Sequence, residues 1–398
     1  MTRRYDSGPE REEHALDVRD LQGIVARRYE DFVEALRDMV NVDCGSYTPQ
    51  GVNAIADRCQ ARFEAGGWAV ERRAHDGEPR LGDLLVGRLS GSGGPRVLMI
   101  GHMDTVFDPG TVAERPFRIE GGRALGPGVS DMKGGLLTGF FAVETLQDAG
   151  FDGFGQITYI CNPDEEIGSP WSRDVIRAEA ANADVALVLE GARENGDIVS
   201  ARKGVSDYTI EIAGRAAHAG VEPERGRSAI LEAAHKTVAL QALNGRWPGV
   251  TVNVGVVHGG TRPNVVAERC LLEVDVRSPV EETFQEAEAA VEAIAGEHTV
   301  PDVTVSVRGG GWHRPMEKKE GGARLAELAI GVAADLGFQL RDAATGGASD
   351  ANTTSAAGVP TLDGLGPIGG DDHSPNEWLE LPSVVPRISL LAGLLSRL

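Results

Sequence analysis

Apolar positions along the first half of the chain alternate between strand-like and helical spacing. Short runs of consecutive apolar residues, such as RVLMIG and QITYIC, are typical of strands buried on both faces. Segments with apolar residues three and four apart indicate amphipathic helices. The predicted strands are 68–72, 83–89, 96–101, 156–161 and 185–189, and the predicted helices are 22–40, 52–65, 132–149 and 172–181. Strands that alternate with helices predict an α/β domain with a mostly parallel sheet.

The pattern changes near residue 203 and changes back near residue 313. The predicted order in between is strand 205–213, helix 228–243, strands 251–258 and 265–277, helix 280–295 and strand 303–307. This βαββαβ order is that of the ferredoxin-like motif. Helix 323–336, strand 359–362 and helix 382–398 then resume the α/β pattern. We therefore predict a catalytic domain made of 1–203 and 313–398, with a flexible tail over 1–20, interrupted by an inserted lid or dimerisation domain at 204–312.

Composition narrows the class of partner. The 398 residues carry a formal net charge of −21, which repels phosphate backbones and anionic membranes. We therefore expect a small-molecule substrate, with no nucleic acid and no membrane as partner. The polar N-terminus lacks the apolar segment of a signal peptide. None of the four cysteines forms a C-x-x-C pair, and reduced buried thiols are typical of a cytoplasmic protein, which is the expected location.

The segment GHMDTV contains the first candidate for chemistry, because it follows a predicted buried strand. His102 and Asp104 are two residues apart and can share one face of an extended chain. Histidine is a good zinc ligand, and a carboxylate on its second ring nitrogen can fix its tautomer. A histidine with a purely structural role at a strand end is the alternative for this segment alone.

Four further segments carry acidic side chains or histidine. Asp131 lies in a glycine-rich turn before a helix, where it could equally be an N-cap. The adjacent Glu165 and Glu166 follow a buried strand, where a bound cation would offset their repulsion, and a solvated loop is the alternative. Glu190 follows the apolar run VALVL, either as a ligand or as a strand terminator, and His373 lies in the polar segment GGDDHSPNEW.

The combination is more informative than any single segment. Open α/β folds place their sites at the carboxyl ends of parallel strands. Two histidines and several carboxylates suit zinc in a two-metal hydrolytic centre, with cobalt or manganese as alternatives. The sequence has no H-E-x-x-H helix and no G-x-S-x-G elbow. The glycines of GLGPIG are followed by a polar segment rather than a helix, so we interpret them as a loop.

The order of the motifs resembles a known family of enzymes. GHMDTV, SDMKGG, PDEEIGS, LEG, GRAAHAG, GGASDA and DDHSPNE follow one another over about residues 80–380. Together they resemble metallopeptidase family 20 of clan MH, which includes carboxypeptidase G, aminoacylases, acetylornithine deacetylase and succinyl-diaminopimelate desuccinylase. DEEIGSPWSRDVI and the glutamate at position 190 are most similar to the glutamate carboxypeptidase branch. The resemblance implies a zinc-exopeptidase-like fold and two divalent ions per chain.

The resemblance also implies a role for each matched residue. Asp131 would bridge the two ions, His102 and Glu190 would complete one site, and Glu166 and His373 would complete the other. In the family, glutamate at the position of Glu190 goes with carboxypeptidases and acylases.

The catalytic roles follow in the same way. Glu165 would be the general base for an attacking water, and Asp104 would orient the histidine before it. His218, in GRAAHAG, matches a lid-domain residue that in dimeric relatives reaches the partner's active site and stabilises the oxyanion. A homodimer through the lid domain is therefore expected.

Three more positions are implied to bind substrate. Asn264 and Arg277 match lid residues, with Arg277 on a substrate carboxylate, and Gly347 matches a substrate-contacting loop. A turn residue and a solvated strand end are the alternatives for the first two.

The predicted function is a carboxypeptidase-like, metal-dependent hydrolase of amide bonds that releases a C-terminal or N-acylated amino acid. An N-acyl amino acid deacylase or desuccinylase is the first alternative. A catalytically silent relative that binds an amino-acid conjugate is the second.

Overall fold

The computed structural model describes residues 16–398 and contains both helices and strands in two compact units. Most of the predicted tail at 1–20 lies outside the described residues, and the first helix already begins at Val18. The helices are α1 (Val18–Arg27), α2 (Tyr29–Val40), α3 (Pro49–Ala65), α4 (Thr111–Glu114), α5 (Gly135–Asp148), α6 (Arg173–Ala180), α7 (Ala229–Gln241), α8 (Glu281–Gly296), α9 (Glu320–Leu336), α10 (Asp350–Ala356) and α11 (Val384–Arg397). The strands are β1 (Ala69–Arg73), β2 (Leu84–Ser90), β3 (Arg96–His102), β4 (Arg118–Glu120), β5 (Arg123–Leu125), β6 (Gln156–Asn162), β7 (Val185–Val188), β8 (Ile198–Arg202), β9 (Gly204–Ala213), β10 (Thr251–Gly259), β11 (Arg269–Ser278), β12 (Thr304–His313), β13 (Asp342–Thr345), β14 (Thr361–Leu362), β15 (Gly369–Gly370) and β16 (Trp378–Glu380).

The larger unit contains a six-stranded sheet in the order β1-β2-β6-β3-β7-β14. Strands β6, β3, β7 and β14 are parallel, and β2 is antiparallel to β6. Every residue of β3 after the first is buried, which shows that both faces of the sheet are covered. Helices α1, α5, α9 and α11 pack against one another. The predicted α/β class with a mostly parallel sheet is thus confirmed.

The N-terminal helical region differs from the prediction. The segment 22–40, predicted as one helix, forms α1 and α2, which are separated at Arg28. The guanidinium of Arg28 contacts the carboxylates of Glu144 and Asp148 on α5, at 2.6 Å each. Apolar spacing continues across the break because both helices contribute buried side chains to the same core, so periodicity alone did not reveal it.

The smaller unit contains the second sheet, with strand order β10-β11-β9-β12. All three pairings are antiparallel, and α7 and α8 connect the strands in the predicted βαββαβ order. Alternate residues of β9 and β11 are buried in a separate core, which is the pattern of a sheet covered on one face.

The unit boundaries can be compared with the predicted insertion at 204–312. The smaller unit runs from 201 to 317 and also includes 344–348. The backbone N–H of Lys203 donates to the carbonyl of Thr345 at 3.1 Å, and Arg202 and Arg277 donate to the next carbonyls along this short loop. These bonds explain why a loop distant in sequence folds with the smaller unit.

Among residues 16–398, no helix is both long enough and apolar enough to cross a membrane.

Candidate metal centre

Three neighbouring parallel strands end at one edge of the large sheet. His102 is the last residue of β3 and pairs in register with Asn162, the last residue of β6. Glu165 and Glu166 follow β6 in a short 3-10 turn, and Glu190 lies two residues after the end of β7. Because parallel strands point the same way, their carboxyl ends bring these side chains together, as the sequence predicted.

Asp131 reaches the same place from a tight turn before α5. The turn contains Gly128 at φ +72°, and the peptide bond after Asp131 is cis. The predicted helix start at 132 is wrong, because Asp131 and Met132 have non-helical dihedral angles and α5 begins only at Gly135. A Cβ atom at Gly135 would lie 1.8 Å from the carbonyl oxygen of Leu189, so only glycine allows α5 to start this close to the end of β7.

The side chains form two groups that share one carboxylate. His102 Nε2 lies 3.0 Å from Asp131 Oδ1 and 3.8 Å from Glu190 Oε1. His373 Nε2 lies 3.0 Å from Asp131 Oδ2 and 3.1 Å from Glu166 Oε2. Within each group, the nitrogen and oxygen atoms all lie within 4.8 Å of one another. Asp131 therefore offers one oxygen to each group.

His373 differs from the other members in its exposure. Its side chain is 55% exposed, whereas that of His102 is 1% exposed. The residue adopts φ +61° in the turn after β15, a left-handed conformation that is uncommon outside glycine. One group is thus deeply enclosed, and the other has a ligand on an open loop.

The charges of the two groups fit divalent cations. Burial would lower the pKa of His102, but Glu190, Asp104 and Asp131 raise it well above its usual value. Hydrogen bonds to Asp131 and Glu166 raise the pKa of His373 to about 11. Protons on the two imidazoles thus compensate the crowded carboxylates. Cations held by the same nitrogen and oxygen atoms would do so better, and this donor set is one that zinc prefers.

Burial also raises the pKa of Glu165 well above its usual value, and the negative charges of Glu190, Asp350 and Glu166 add to that effect. Burial also raises the pKa of Glu166, although the hydrogen bond to His373 has a lowering effect. A positive charge beside these two buried carboxylates would stabilise their charged form.

Asp104 connects two of the strand ends. Its Oδ1 lies 3.4 Å from Nδ1 of His102, while the shorter contact of that nitrogen, 3.0 Å, is to the carbonyl of Asp104 itself. The carboxylate accepts hydrogen bonds from the backbone N–H groups of Glu165 and Glu166, both at 3.2 Å, and from the hydroxyl of Ser46 at 2.6 Å. Asp104 therefore lies where the predicted orienting role requires, and it also holds the glutamate turn.

Glu377 is a buried carboxylate that the sequence analysis missed. Its Oε1 accepts the N–H groups of Ser130 and Asp131 at 2.8 and 3.1 Å, and its Oε2 accepts that of Gly128 at 2.8 Å. Burial raises its pKa to about 8. It lies four residues after His373, so one loop carries a candidate ligand and also holds the turn of the shared aspartate. Within a polar loop sequence, nothing distinguishes a buried glutamate from a solvated one.

The remaining predicted site residues belong to the smaller unit. His218 is exposed and pairs through its backbone with Val265, and the N–H of the following Ala219 donates to the carbonyl of Asn264 at 3.0 Å. Arg277 contacts Asp275 at 3.1 Å and donates to the carbonyl of Gly346 at 2.9 Å. Gly347 follows Gly346 in the loop 344–348.

Comparison with known proteins identifies relatives over nearly the whole chain. The model of peptidase family M20/M25/M40 matches residues 98–397. Carboxypeptidase G2 from Pseudomonas sp. (strain RS-16) is 31% identical over 366 residues, which cover 91% of this chain and 88% of the relative. Acetylornithine deacetylase from Myxococcus xanthus is 28% identical over 257 residues, which cover 61% of this chain and 65% of the relative.

Solved structures agree with these relatives. The crystal structure of aminopeptidase PepT from Bacillus cereus ATCC 10987 matches with a TM-score of 0.75 at 25% identity, covering 93% of this chain and 98% of the other. The resemblance inferred from the motifs is therefore confirmed. The chain belongs to peptidase family M20/M25/M40 and is a metal-dependent hydrolase of amide bonds.

Proposed function

We propose that this hydrolase is carboxypeptidase-like and releases a C-terminal or N-acylated amino acid with two zinc ions per chain. The observation that carries the proposal is the pair of ligand groups joined through Asp131, with Glu165 beside them. The similarity to carboxypeptidase G2 over most of both chains supports the proposal that this hydrolase cleaves an amide bond as a carboxypeptidase does. Cobalt and manganese remain the alternatives to zinc.

In this proposal, the chain's own residues divide the work. His102, Asp131 and Glu190 would hold one ion, and Asp131, Glu166 and His373 would hold the other. Two divalent ions held there would polarise the amide carbonyl and make water more acidic. Glu165 takes the proton of the attacking water and passes it to the leaving amine, and Asp104 keeps His102 in the tautomer that presents Nε2.

An N-acyl amino acid deacylase or desuccinylase is the second candidate. The similarity to acetylornithine deacetylase favours it. Both candidates cleave an amide next to a free carboxylate and use the same metal ligands. They differ in the acyl group, so a panel of N-acetyl, N-succinyl and N-aminoacyl derivatives of the same amino acids distinguishes them.

Carboxylate recognition is proposed to involve the loop 344–348. Within the smaller unit, the guanidinium groups of Arg202 and Arg277 donate to the consecutive carbonyls of Gly347 and Gly346, at 3.1 and 2.9 Å. The guanidinium of Arg277 also contacts the carboxylate of Asp275 at 3.1 Å. We propose that Arg277 binds the carboxylate of the amino acid to be released, with Asn264 and Gly347 as further substrate contacts.

A homodimer through the smaller unit is also proposed. Its strand β10 lies at one edge of the sheet, and the neighbouring α7 exposes apolar side chains on its outer face. Val238 is 72% exposed, Leu231 is 51% exposed, and Val257 on β10 is 52% exposed. Exposed apolar side chains beside an open strand edge favour association with a second copy. In that dimer, His218 would stabilise the oxyanion at the partner's metal centre.

The first prediction concerns the general base. Replacement Glu165→Gln should lower turnover of a cleaved dipeptide or N-acyl amino acid by about 10²–10⁴-fold, because the carboxylate that takes the proton is lost. Elemental analysis should still find two ions per chain, since the ligands remain. The exposed Glu327→Gln variant is the matched control. Turnover close to wild type with both ions bound would contradict the assignment.

The second prediction concerns Glu377. In the wild type, backbone N–H groups face the carboxylate of Glu377. Replacement Glu377→Gln places an amide donor against N–H donors there, so the turn of Asp131 should loosen. Zinc affinity, measured by competition with a chromogenic chelator, should weaken about 10–100-fold. Replacement Glu380→Gln, on β16 in the same segment, should leave it unchanged. Equal zinc affinity in both variants would show that the turn holds without Glu377.

The third prediction concerns the substrate carboxylate. Replacement Arg277→Ala should raise KM about 10–100-fold, because charged hydrogen bonds contribute about 1.5–3 kcal/mol. A substrate with that carboxylate amidated should be poor for the wild type and lose little more in the variant. Arg308→Ala, at an exposed arginine of β12, is the control. Equal losses on both substrates would mean that Arg277 does not bind this group.

The fourth prediction concerns the dimer. Sedimentation at micromolar concentration should give a dimer for the wild type and a monomer for Val238→Asp, which places a charge in the apolar contact. Variants His218→Ala and Glu165→Gln should each be inactive alone and regain activity when mixed, since one site then receives both groups. Dimers that gain nothing on mixing would place His218 outside the partner's site.

A further inference from the structure

The segment from Asn162 to Ser169 carries both Glu165 and Glu166, so its position decides where the two carboxylates lie. Each end of the segment is buried. Asn162 closes β6, and Ser169 adopts φ +53° before α6; both are fully buried. The middle is held by Asp104 through the backbone N–H groups of the two glutamates.

A single carboxylate, that of Asp350, binds both ends of this segment. Its Oδ2 accepts from Nδ2 of Asn162 at 2.6 Å, and its Oδ1 accepts from the hydroxyl of Ser169 at 2.6 Å. The orientation of the Asn162 amide follows from its other bond, since its Oδ1 accepts from the N–H of Asp164 at 3.0 Å. Asp350 is 1% exposed, and burial raises its pKa to about 6.

The capping box of helix α10 does not involve this carboxylate. The helix begins with a capping box, in which Ser349 accepts from the first turn and the side chain of Asn352 accepts from the N–H of Ser349. The hydroxyl of Ser349 also donates to Asp363 at 2.7 Å. The side-chain hydrogen bonds of Asp350 go to the glutamate-bearing segment and lie outside this capping box.

We propose that Asp350 is a positioning residue that helps to set the place of Glu165 by holding both ends of segment 162–169, whose Asn162 and Ser169 side chains also bond to each other at 2.9 Å. This inference rests on the proposed role of Glu165 as general base. The carboxylate acts through geometry, as the acceptor for two side-chain donors at fixed separation. Small displacements of a catalytic group lower turnover strongly, and about 1 Å can cost about 10²-fold.

The test uses the full-length protein and four variants. In Asp350→Asn, one of the two donors, Asn162 or Ser169, faces an amide N–H instead of a carboxylate oxygen, and in Asn162→Asp, two carboxylates meet. The double variant Asn162→Asp with Asp350→Asn exchanges donor and acceptor and restores the bond between the two side chains. Ser169→Ala removes one arm without adding a donor. The surface replacement Asp335→Asn is the matched control.

The expected result is a fall in kcat of about 10–100-fold in each of the two single exchanges, with KM within about twofold of wild type. Ser169→Ala should show a smaller fall. The double exchange should turn over faster than either single exchange, which a general loss of stability would not produce. Elemental analysis and near-ultraviolet circular dichroism establish that each variant is folded and holds its ions.

Two results overturn the inference. One is a wild-type kcat for folded Asp350→Asn, and the other is a double exchange no better than the worse single variant. The outcome is separable from that of the proposed function, which Glu165→Gln tests. If Glu165→Gln is inactive while Asp350→Asn is fully active, the base assignment stands and the positioning role fails. If Glu165→Gln is active, the base assignment itself fails.

Discussion

Several carboxylates lie close together in a buried part of the larger unit, where their negative charges repel one another. The surrounding structure compensates that repulsion. Carboxylates with no N–H groups or cations facing them would be costly there. The fold supplies oriented backbone N–H groups to two of them, because Asp104 accepts two from the glutamate turn and Glu377 accepts three from the turn of Asp131. The imidazoles of His102 and His373 compensate the others, and cations would do so more strongly.

The same compensation also holds the segments that carry the candidate ligands. Each carboxylate that receives N–H groups also fixes the segment that donates them. Asp104 thereby ties the end of β3 to the turn after β6, and Glu377 ties the His373 loop to the start of α5. The candidate ligands therefore come from segments far apart in sequence. Most of these segments are also held between their ends, by hydrogen bonds that involve a buried carboxylate.

Individual elements show where sequence reasoning succeeded and where it did not. The buried strands β3, β6 and β7 were found within one residue, because continuous apolar runs bounded by polar residues have few other structural interpretations. The strands predicted at 265–277 and 303–307 are observed as Arg269–Ser278 and Thr304–His313. The break at Arg28 and the late start of α5 were missed. In both places the helix is interrupted by tertiary contacts, while the apolar spacing in the sequence continues unchanged. Helix α10 was not predicted at all. It is seven residues long, and its start depends on the hydrogen bonds of Ser349 rather than on apolar periodicity.

From the sequence alone we predicted the fold class, the order βαββαβ of the smaller unit, and the five side chains that meet in the two candidate ligand groups. This was possible because strand ends and acidic or histidine residues are local features, and parallel strands bring their ends together. The tertiary structure was needed to show that Glu377 accepts three N–H groups from the turn of Asp131, that Asp350 bonds to both ends of segment 162–169, and that loop 344–348 folds with the smaller unit. Those relations join residues up to about 250 positions apart through hydrogen bonds between buried groups. No local pattern distinguishes such groups from solvated ones.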